Sequence, residues 1–339
     1  MGTKGMPRRL MAVALVVVLA LTAVGCRRLR PDSDGFERWL RGTEPATWQV
    51  RAGVEQVTVT GAEPGQPLTL YGRAPGARSG RRPERLLTLL ADDHGQAHFA
   101  YVPGEHATVP SGPDLDFGDL GDMADGSVVA AGTYVVRDDS RSPALATGRI
   151  RVSGRDDVPE PALYESQELT GARLDVLGNP LPGSSLEDGF QYLEMRDGAV
   201  LSAMVRFPDP SLYGAGPYPT VIEYSGYGPS NPASEEAGGR LARAFGYATV
   251  SVNMRGTGCS GGVFDVFNPA QAADGYDAVE IVARQPWVLD GRVGMVGLSY
   301  SGISQLYVAA ARTSGCSRGT RPATYSSRNS YQRMMLTGP

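Results

Sequence analysis

The chain has 339 residues, 41% of them apolar and 20% charged, a composition typical of a globular protein and a length that suits two domains. Its formal net charge of −4 and its pI near 5.5 give no reason to expect nucleic-acid binding. The three cysteines, Cys26, Cys259 and Cys316, are too few and too scattered to build a disulfide framework or a zinc site.

The N-terminus has the pattern of a targeting segment. Lys4 and Arg8 belong to a basic stretch before the apolar run at 10–24, which is short for a membrane span. The Leu-Thr-Ala-Val-Gly-Cys sequence that ends at Cys26 resembles a bacterial lipobox, in which the cysteine is lipidated. We therefore predict a lipoprotein signal peptide over residues 1–26, export across the cytoplasmic membrane and a lipid anchor at Cys26. A cleaved secretory signal and an uncleaved anchor are the alternatives.

Short alternating segments dominate the next part of the chain. After a polar tether at 27–45, β-like runs between turn signals predict a small, immunoglobulin-like β-sandwich over residues 46–154. The predicted strands lie at 48–51, 55–59, 67–71, 97–102, 132–136 and 148–152. All three histidines, His94, His98 and His106, fall in this module. Their spacing matches no metal motif, so neither a metal nor a cofactor is predicted.

A linker at 155–186 separates the sandwich from a second domain at 187–312. There a hairpin is followed by strands and helices in alternation, the pattern of a doubly wound, mostly parallel α/β sheet. The hairpin is predicted at 190–207, further strands at 220–224, 247–252 and 293–298, and helices at 234–245, 270–284 and 303–311.

The segment Gly-Leu-Ser-Tyr-Ser-Gly at 297–302 predicts a nucleophile. A strand pattern precedes it and a helical pattern follows it, so Ser299 stands at the apex of a strand-to-helix turn, the context of a nucleophile elbow. The N-terminus of the following helix stabilises developing negative charge. The alternative is a Gly/Ser-rich turn without chemistry, which this context disfavours.

Five further segments come before this serine. They are Met-Arg-Asp-Gly at 195–198, the Asn-Met-Arg-Gly-Thr-Gly-Cys-Ser-Gly-Gly loop at 253–262, Asp-Gly-Tyr-Asp at 274–277, Gln-Pro-Trp at 285–287 and Gly-Arg-Val-Gly at 291–294. Together with the elbow they resemble the Xaa-Pro dipeptidyl-peptidase and cocaine-esterase-like (CocE/NonD) hydrolases. The resemblance implies an α/β fold, the N-terminal half of an α/β-hydrolase, over about residues 187–312. It does not extend to the β-sandwich.

The resemblance also implies roles for individual residues. Ser299 is expected to be the nucleophile, and the oxyanion hole is expected to pair the backbone N–H of Tyr300 with the hydroxyl of Tyr227, or less favourably with that of Tyr224. Asp265 and Asp274 come before the serine, and we expect them to order loops or the start of a helix. The expected substrate is a small peptide, amide or ester, which would be cleaved through an acyl-enzyme.

The chain departs from the family pattern after the elbow helix. The family order places an Asp and then a His downstream of the serine, but no His, Asp or Glu follows Ser299. The basic segment at 313–339 suggests a frameshift near Arg312 or a truncation, in preference to a short protein with a disordered tail. We expect this chain alone to be inactive. The alternative function is that of a non-enzymatic surface lipoprotein acting through its β-sandwich.

Overall fold

The computed structural model describes residues 36–73, 82–103, 126–155, 157, 159, 161–165 and 188–311. The predicted signal peptide with Cys26, the third histidine, His106, and the basic tail at 313–339 lie outside these residues. Among the residues that the structure describes, none of the helices has the length and apolar character needed to cross a membrane.

Two packed β-sheets form the N-terminal module. Its strands are β1 (Glu44–Pro45), β2 (Gln49–Ala52), β3 (Val57–Thr60), β4 (Pro67–Gly72), β5 (Glu84–Leu90), β6 (Ala97–Phe99), β7 (Tyr101–Pro103), β8 (Gly126–Val128), β9 (Gly132–Asp138), β10 (Leu145–Ala146) and β11 (Ile150–Val152). The larger sheet has the order β1-β10-β9-β4-β5, with β11 also on β9, and it faces the smaller sheet β2-β3-β6. Strands β7 and β8 form a separate two-stranded sheet. Val57 and Phe99 of the small sheet share one apolar core with Leu68 and Val136 of the large one. The predicted β-sandwich is therefore present.

The sandwich contains the short strands β1, β8 and β10, which were not predicted, and it differs from the sequence prediction in three further places. Strand β5 was not predicted, because its consecutive leucines show no alternation. The predicted strand at 97–102 is divided at Ala100. The predicted tether at 27–45 is packed in its second half: Phe36 begins the short helix α1 (Phe36–Trp39), is fully buried, and contacts Val135. The segment from Phe36 onward is therefore packed against the sandwich, although the sequence predicted a polar tether there.

The second domain is an α/β sheet. Its elements are α2 (Ala162–Glu165), β12 (Gly189–Glu194), β13 (Val200–Arg206), α3 (Pro210–Tyr213), β14 (Tyr218–Ser225), α4 (Ala237–Ala244), β15 (Ala248–Asn253), α5 (Pro269–Ala283), β16 (Val288–Met295) and α6 (Tyr300–Ala311). The strand order is β12-β13-β15-β14-β16. Strand β14 runs parallel to β15 and β16. Strands β12 and β13 form an antiparallel hairpin, and β13 also pairs antiparallel with β15. The predicted fold class is confirmed.

Helices cover both faces of this sheet. Side chains of consecutive strand residues point to opposite faces, so Glu223 and Tyr224 mark the two sides of β14. The carboxylate of Glu223 accepts a hydrogen bond from Gly239 in α4, whereas the hydroxyl of Tyr224 donates to the carbonyl of Gln271 in α5. Helix α6 packs against α5. The sheet is therefore doubly wound, and its central strands β14 and β15 are buried along nearly their whole length.

Part of the predicted linker at 155–186 belongs to the second domain. Tyr164 in α2 is buried in the apolar core of that domain, and its hydroxyl donates to Asp277 at 2.7 Å. Asp277 is also paired with Arg196 at 2.7 Å. The Tyr164 phenol thus anchors this segment to helix α5, a contact that the Pro- and Gly-rich composition of the linker did not indicate.

Candidate active site

Ser299 occupies a strained turn between β16 and α6. Its φ of +58° lies in the left-handed region, which a residue with a Cβ enters at a cost of about 1–3 kcal/mol. The side chain is exposed. A non-glycine residue at positive φ between a parallel strand and a helix is the geometry of a nucleophile elbow.

The small residues on either side of Ser299 make this turn possible. A Cβ on Gly297 would collide with the side chain of Ser301, so position 297 has no room for a larger residue. Ser301 is buried; its Oγ accepts the N–H of Leu298 and also hydrogen bonds to the Leu298 carbonyl, both at 3.0 Å. These contacts close the turn and fix the backbone that presents Ser299.

Tyr227 lies directly beside the serine. Its hydroxyl oxygen is 3.3 Å from the Oγ of Ser299, although the two residues are 72 positions apart. A hydrogen bond holds the loop that carries Tyr227: the backbone N–H of Tyr227 donates to the Oγ of Ser225 at 3.1 Å. That Oγ in turn donates to the carboxylate of Glu236 at 3.0 Å. The tyrosine therefore reaches the serine from a hydrogen-bonded loop at the end of β14.

Tyr300 is the first residue of α6, so its N–H has no acceptor within the helix. Its ring packs edge-on against Tyr227 and Phe267, and its hydroxyl donates to the Oε1 of Gln271 at 3.1 Å. Tyr224, the less favoured alternative for the oxyanion hole, is buried and donates its hydroxyl to the Gln271 carbonyl. Of the two tyrosines considered, the structure brings Tyr227 to Ser299.

A buried glutamate lies under the elbow, and the sequence analysis did not identify it. Glu223 is 1% exposed and accepts the N–H of Gly239 at 2.8 Å. A Cβ at Gly238 would come within 2.8 Å of the same carboxylate. Burial, with the nearby charge of Glu236, raises the pKa of Glu223 to about 7. The available signal was a glutamate within the apolar run at 220–224, followed by paired glycines at the start of a helix.

The aspartates that precede the serine take part in other contacts. Arg255, 2% exposed, donates two hydrogen bonds to Asp274, at 2.7 and 2.6 Å, and one to Asp197 at 3.0 Å. Asp265 accepts the hydroxyl of Tyr101, from the β-sandwich, at 2.7 Å. The Arg255 contacts fasten the loop at 255–261 to Asp197 and to helix α5.

The described histidines belong to the β-sandwich. The Nδ1 of His98 lies 2.9 Å from the hydroxyl of Thr58, and burial lowers the pKa of His98. His94 lies in the turn between β5 and β6, where its backbone N–H bonds to Asp92. Within the described ranges, no cluster of three or more His, Cys, Asp or Glu side chains has a geometry that could hold a metal ion.

One family pattern matches the segment that contains the elbow. Residues 197–328 match the model of the X-Pro dipeptidyl-peptidase family (S15 family). The match includes Ser299, Tyr227 and the Arg255 loop, and it extends past α6 into the predicted basic tail. No curated protein matches the chain.

Solved structures with similar parts include three hydrolases. A CocE/NonD family hydrolase from Staphylococcus aureus is 25% identical, covers 44% of this chain and 31% of its own, and has a TM-score of 0.32. An α-amino acid ester hydrolase is 23% identical over 40% of this chain and 25% of its own, with a TM-score of 0.30. A serine hydrolase from Xanthomonas campestris is 25% identical over 39% of this chain and 59% of its own, with a TM-score of 0.28. This chain thus spans about a third or less of the first two.

Proposed function

We propose, on the premise that residues 197–328 belong to the X-Pro dipeptidyl-peptidase (S15) hydrolase family, that this protein is an extracytoplasmic serine hydrolase. It cleaves a peptide, amide or ester bond through an acyl-enzyme on Ser299. The observation that carries the proposal is the positive φ of Ser299 together with the Tyr227 hydroxyl 3.3 Å from its Oγ.

The proposed reaction follows from this geometry. The Oγ of Ser299 attacks the substrate carbonyl carbon while its proton passes to a base, and the carbonyl oxygen becomes an oxyanion. The hydroxyl of Tyr227 and the N–H of Tyr300 donate to that oxygen, and the helix N-terminus adds favourable field. The leaving amine or alcohol takes the proton, and water then releases the acid. One such oxyanion donor is typically worth about 2.7–4 kcal/mol.

The general base is the element that the described site does not supply. No histidine follows Ser299 in the sequence, and the hydrogen bond of His98 is to Thr58 in the β-sandwich. We propose that the base and its aspartate are encoded past a frameshift near Arg312. This chain by itself then has an unactivated serine, since loss of a triad member costs about 10⁴–10⁶-fold in turnover.

The proposed location rests on the N-terminal sequence alone. The basic stretch, the short apolar run and Cys26 support export across the cytoplasmic membrane and anchoring through a lipidated cysteine. Metabolic labelling with a radioactive fatty acid tests this proposal. Label should enter the parent protein and be lost in Cys26→Ser; equal labelling of both would contradict it.

The deciding experiment combines resequencing with kinetics. The gene is read from the Ser299 codon past the stop, and the chain with the resumed frame is assayed on an alanyl-proline anilide and on phenyl acetate. We expect hydrolysis that Ser299→Ala abolishes and that Tyr227→Phe lowers in kcat by about 10²–10³-fold. Tyr213→Phe is the matched control, because the Tyr213 hydroxyl bonds the Ala244 carbonyl.

Two results would overturn the proposal. One is that resequencing confirms the stop codon and the segment at 313–339, finds no Asp or His encoded downstream, and Ser299 is not acylated. The other is hydrolysis that survives Ser299→Ala. Activity on the anilide but not on the ester, or the reverse, would assign the substrate class within the proposal.

A further inference from the structure

A continuous series of hydrogen bonds leads from the buried glutamate under the elbow to the tyrosine beside the serine. Glu223 is hydrogen-bonded to Glu236, and the carboxylate of Glu236 accepts the hydroxyl of Ser225 at 3.0 Å. The Oγ of Ser225 accepts the backbone N–H of Tyr227 at 3.1 Å. The hydroxyl of Tyr227 lies 3.3 Å from the Oγ of Ser299. Strand β14, the N-cap of α4 and the elbow are therefore joined through polar contacts.

The contact between the two glutamates needs a proton. Ionised carboxylates only accept hydrogen bonds, so Glu223 and Glu236 can bond to each other only while one of them is protonated. Glu223 is that donor, because burial, with the charge of Glu236, raises its pKa to about 7. Glu236 is half-buried; burial raises its pKa too, while the hydrogen bonds with Ser225 and Glu223 act to lower it. Just below neutral pH the pair therefore holds one charge and one shared proton.

The charged groups around this pair do not neutralise it. Glu235 adds another negative charge near Glu223 and is itself paired with Arg243 at 2.7 Å. Arg206, on β13, donates to two carbonyls of the loop before α4, and Asp188 lies near both arginines. Among the described residues, neither carboxyl of the pair has an ion-pair partner. The shared proton is thus what keeps the two carboxyls together.

We infer that Glu223 and Glu236 are positioning residues for the oxyanion hole: the pair, by sharing one proton, holds the Tyr227 loop so that its hydroxyl meets the substrate carbonyl. The inference rests on the proposed role of Tyr227 in hydrolysis. When Glu223 gives its proton to water, two carboxylates face each other in a buried site and repel. Glu236, the less buried member, then turns to solvent and releases the Ser225 hydroxyl. The oxyanion donor loses its position, and kcat falls.

The first test requires no hydrolysis. This chain, with ¹³C in its glutamate carboxyls and ¹⁵N in its tyrosine amides, is titrated by NMR from about pH 5 to about pH 9. The Glu223 carboxyl and the Tyr227 amide should titrate with one midpoint near 7. In Glu223→Gln, whose amide donates to Glu236 at every pH, the Tyr227 signal should stay constant. Glu235→Gln is the matched control, because Glu235 pairs with Arg243; the common midpoint should persist there at a lower pH.

The second test measures kinetics of the chain with the resumed frame on the alanyl-proline anilide. In the parent, kcat should fall about tenfold as the pH rises through the same midpoint, with little change in KM. Glu223→Gln should abolish this fall. Glu236→Ala should lower kcat about tenfold at every pH. Glu236→Gln, which keeps an acceptor for the Ser225 hydroxyl, should restore most of the loss, a rescue that a purely structural role would not produce.

The inference is wrong if the Tyr227 amide does not follow the titration of Glu223, if the alkaline fall in kcat persists in Glu223→Gln, or if Glu236→Ala turns over like the parent. Absence of any hydrolysis in the resumed chain would instead overturn the proposed function. The NMR titration would then still decide whether the pair holds the Tyr227 loop. If Glu236→Ala does not fold, Glu223→Gln, which keeps the side-chain shape, gives the deciding result.

Discussion

The two domains bury charge in different ways. In the described part of the β-sandwich, Asp138 is the one buried charged residue, and the core is otherwise apolar with a few neutral polar groups. The α/β domain buries a larger set of charged side chains: Arg255, Asp274, Asp277, Glu223 and Glu280. A sheet covered on both faces leaves few solvent-facing positions. Most of these charges lie on a strand or on helix α5, and the ion pairs of Arg255 with Asp274 and Asp197 fix the loop that follows β15.

Removing the central cation should show this difference most strongly. Arg255→Met leaves Asp274 and Asp197 buried without their partner, and we expect a loss of about 3–5 kcal/mol in the free energy of unfolding. In the β-sandwich, Arg149→Met removes an exposed pair with Glu37 and should cost under about 1 kcal/mol. Denaturant unfolding of both variants measures the contrast. Equal losses of unfolding free energy in the two variants would show that the buried ion pairs stabilise the protein no more than the exposed pair does.

An apolar truncation should be the large effect in the β-sandwich. Leu68 is fully buried in its core, so Leu68→Ala should lower the free energy of unfolding by about 2–5 kcal/mol. Leu90 on the neighbouring strand is 68% exposed, and Leu90→Ala should stay within about 0.5 kcal/mol of the parent. Hydrogen exchange would show whether the loss is confined to the sandwich. An equal loss of amide protection in both domains would show that the two domains do not unfold independently.

The buried glutamate should make the α/β domain sensitive to pH. Because the pKa of Glu223 is raised to about 7 from its ordinary 4.5, the folded state holds a proton that the unfolded state has released between those values. Stability should therefore fall as pH rises through this window and level off above it. Glu223→Gln removes the fall, a relative gain on the order of 2–3 kcal/mol from about pH 5 to about pH 8.

The matched control is Glu63→Gln in the β-sandwich, whose side chain is 69% exposed. Because Glu63→Gln removes only an exposed pair with Arg141, it should change the unfolding free energy by under about 1 kcal/mol. If the stability of Glu223→Gln depends on pH as that of the parent does, the carboxylate does not hold a proton at the lower pH values, and the buried site under the elbow is better hydrated than its contacts indicate.

The smallest expected effect is a gain in stability at the elbow itself. Ser299→Gly relieves the cost of positive φ, while glycine adds entropy to the unfolded chain, so the net gain should be about 1 kcal/mol or less. Ser301→Gly should instead destabilise by about 1–2 kcal/mol, since it loses the contacts with Leu298. Thermal unfolding separates the two signs. A destabilised Ser299→Gly would mean that the turn is not strained.

The sequence predicted the element order well where the local pattern was periodic. The strands at 220–224 and 247–252 and the helix at 270–284 each fall within a few residues of β14, β15 and α5. Strand β5 was missed because four leucines interrupt the alternation that marks a strand. The packed segment at Phe36 was missed because its two aromatic residues lie in a polar stretch, and their burial depends on strands far along the chain.

The amino-acid sequence by itself determined the alternation of strand and helix and the turn at Ser299, because Gly297, Ser301 and Gly302 act over a few residues. It also places the histidines at 94, 98 and 106 in the β-sandwich, far from the serine along the chain. Only the tertiary structure decided that Tyr227 and not Tyr224 meets Ser299, that Glu223 is buried below the elbow, and that Glu236 and Ser225 connect that glutamate to the Tyr227 loop. Those relations join residues up to dozens of positions apart, and only the packing of separate elements fixes such distances.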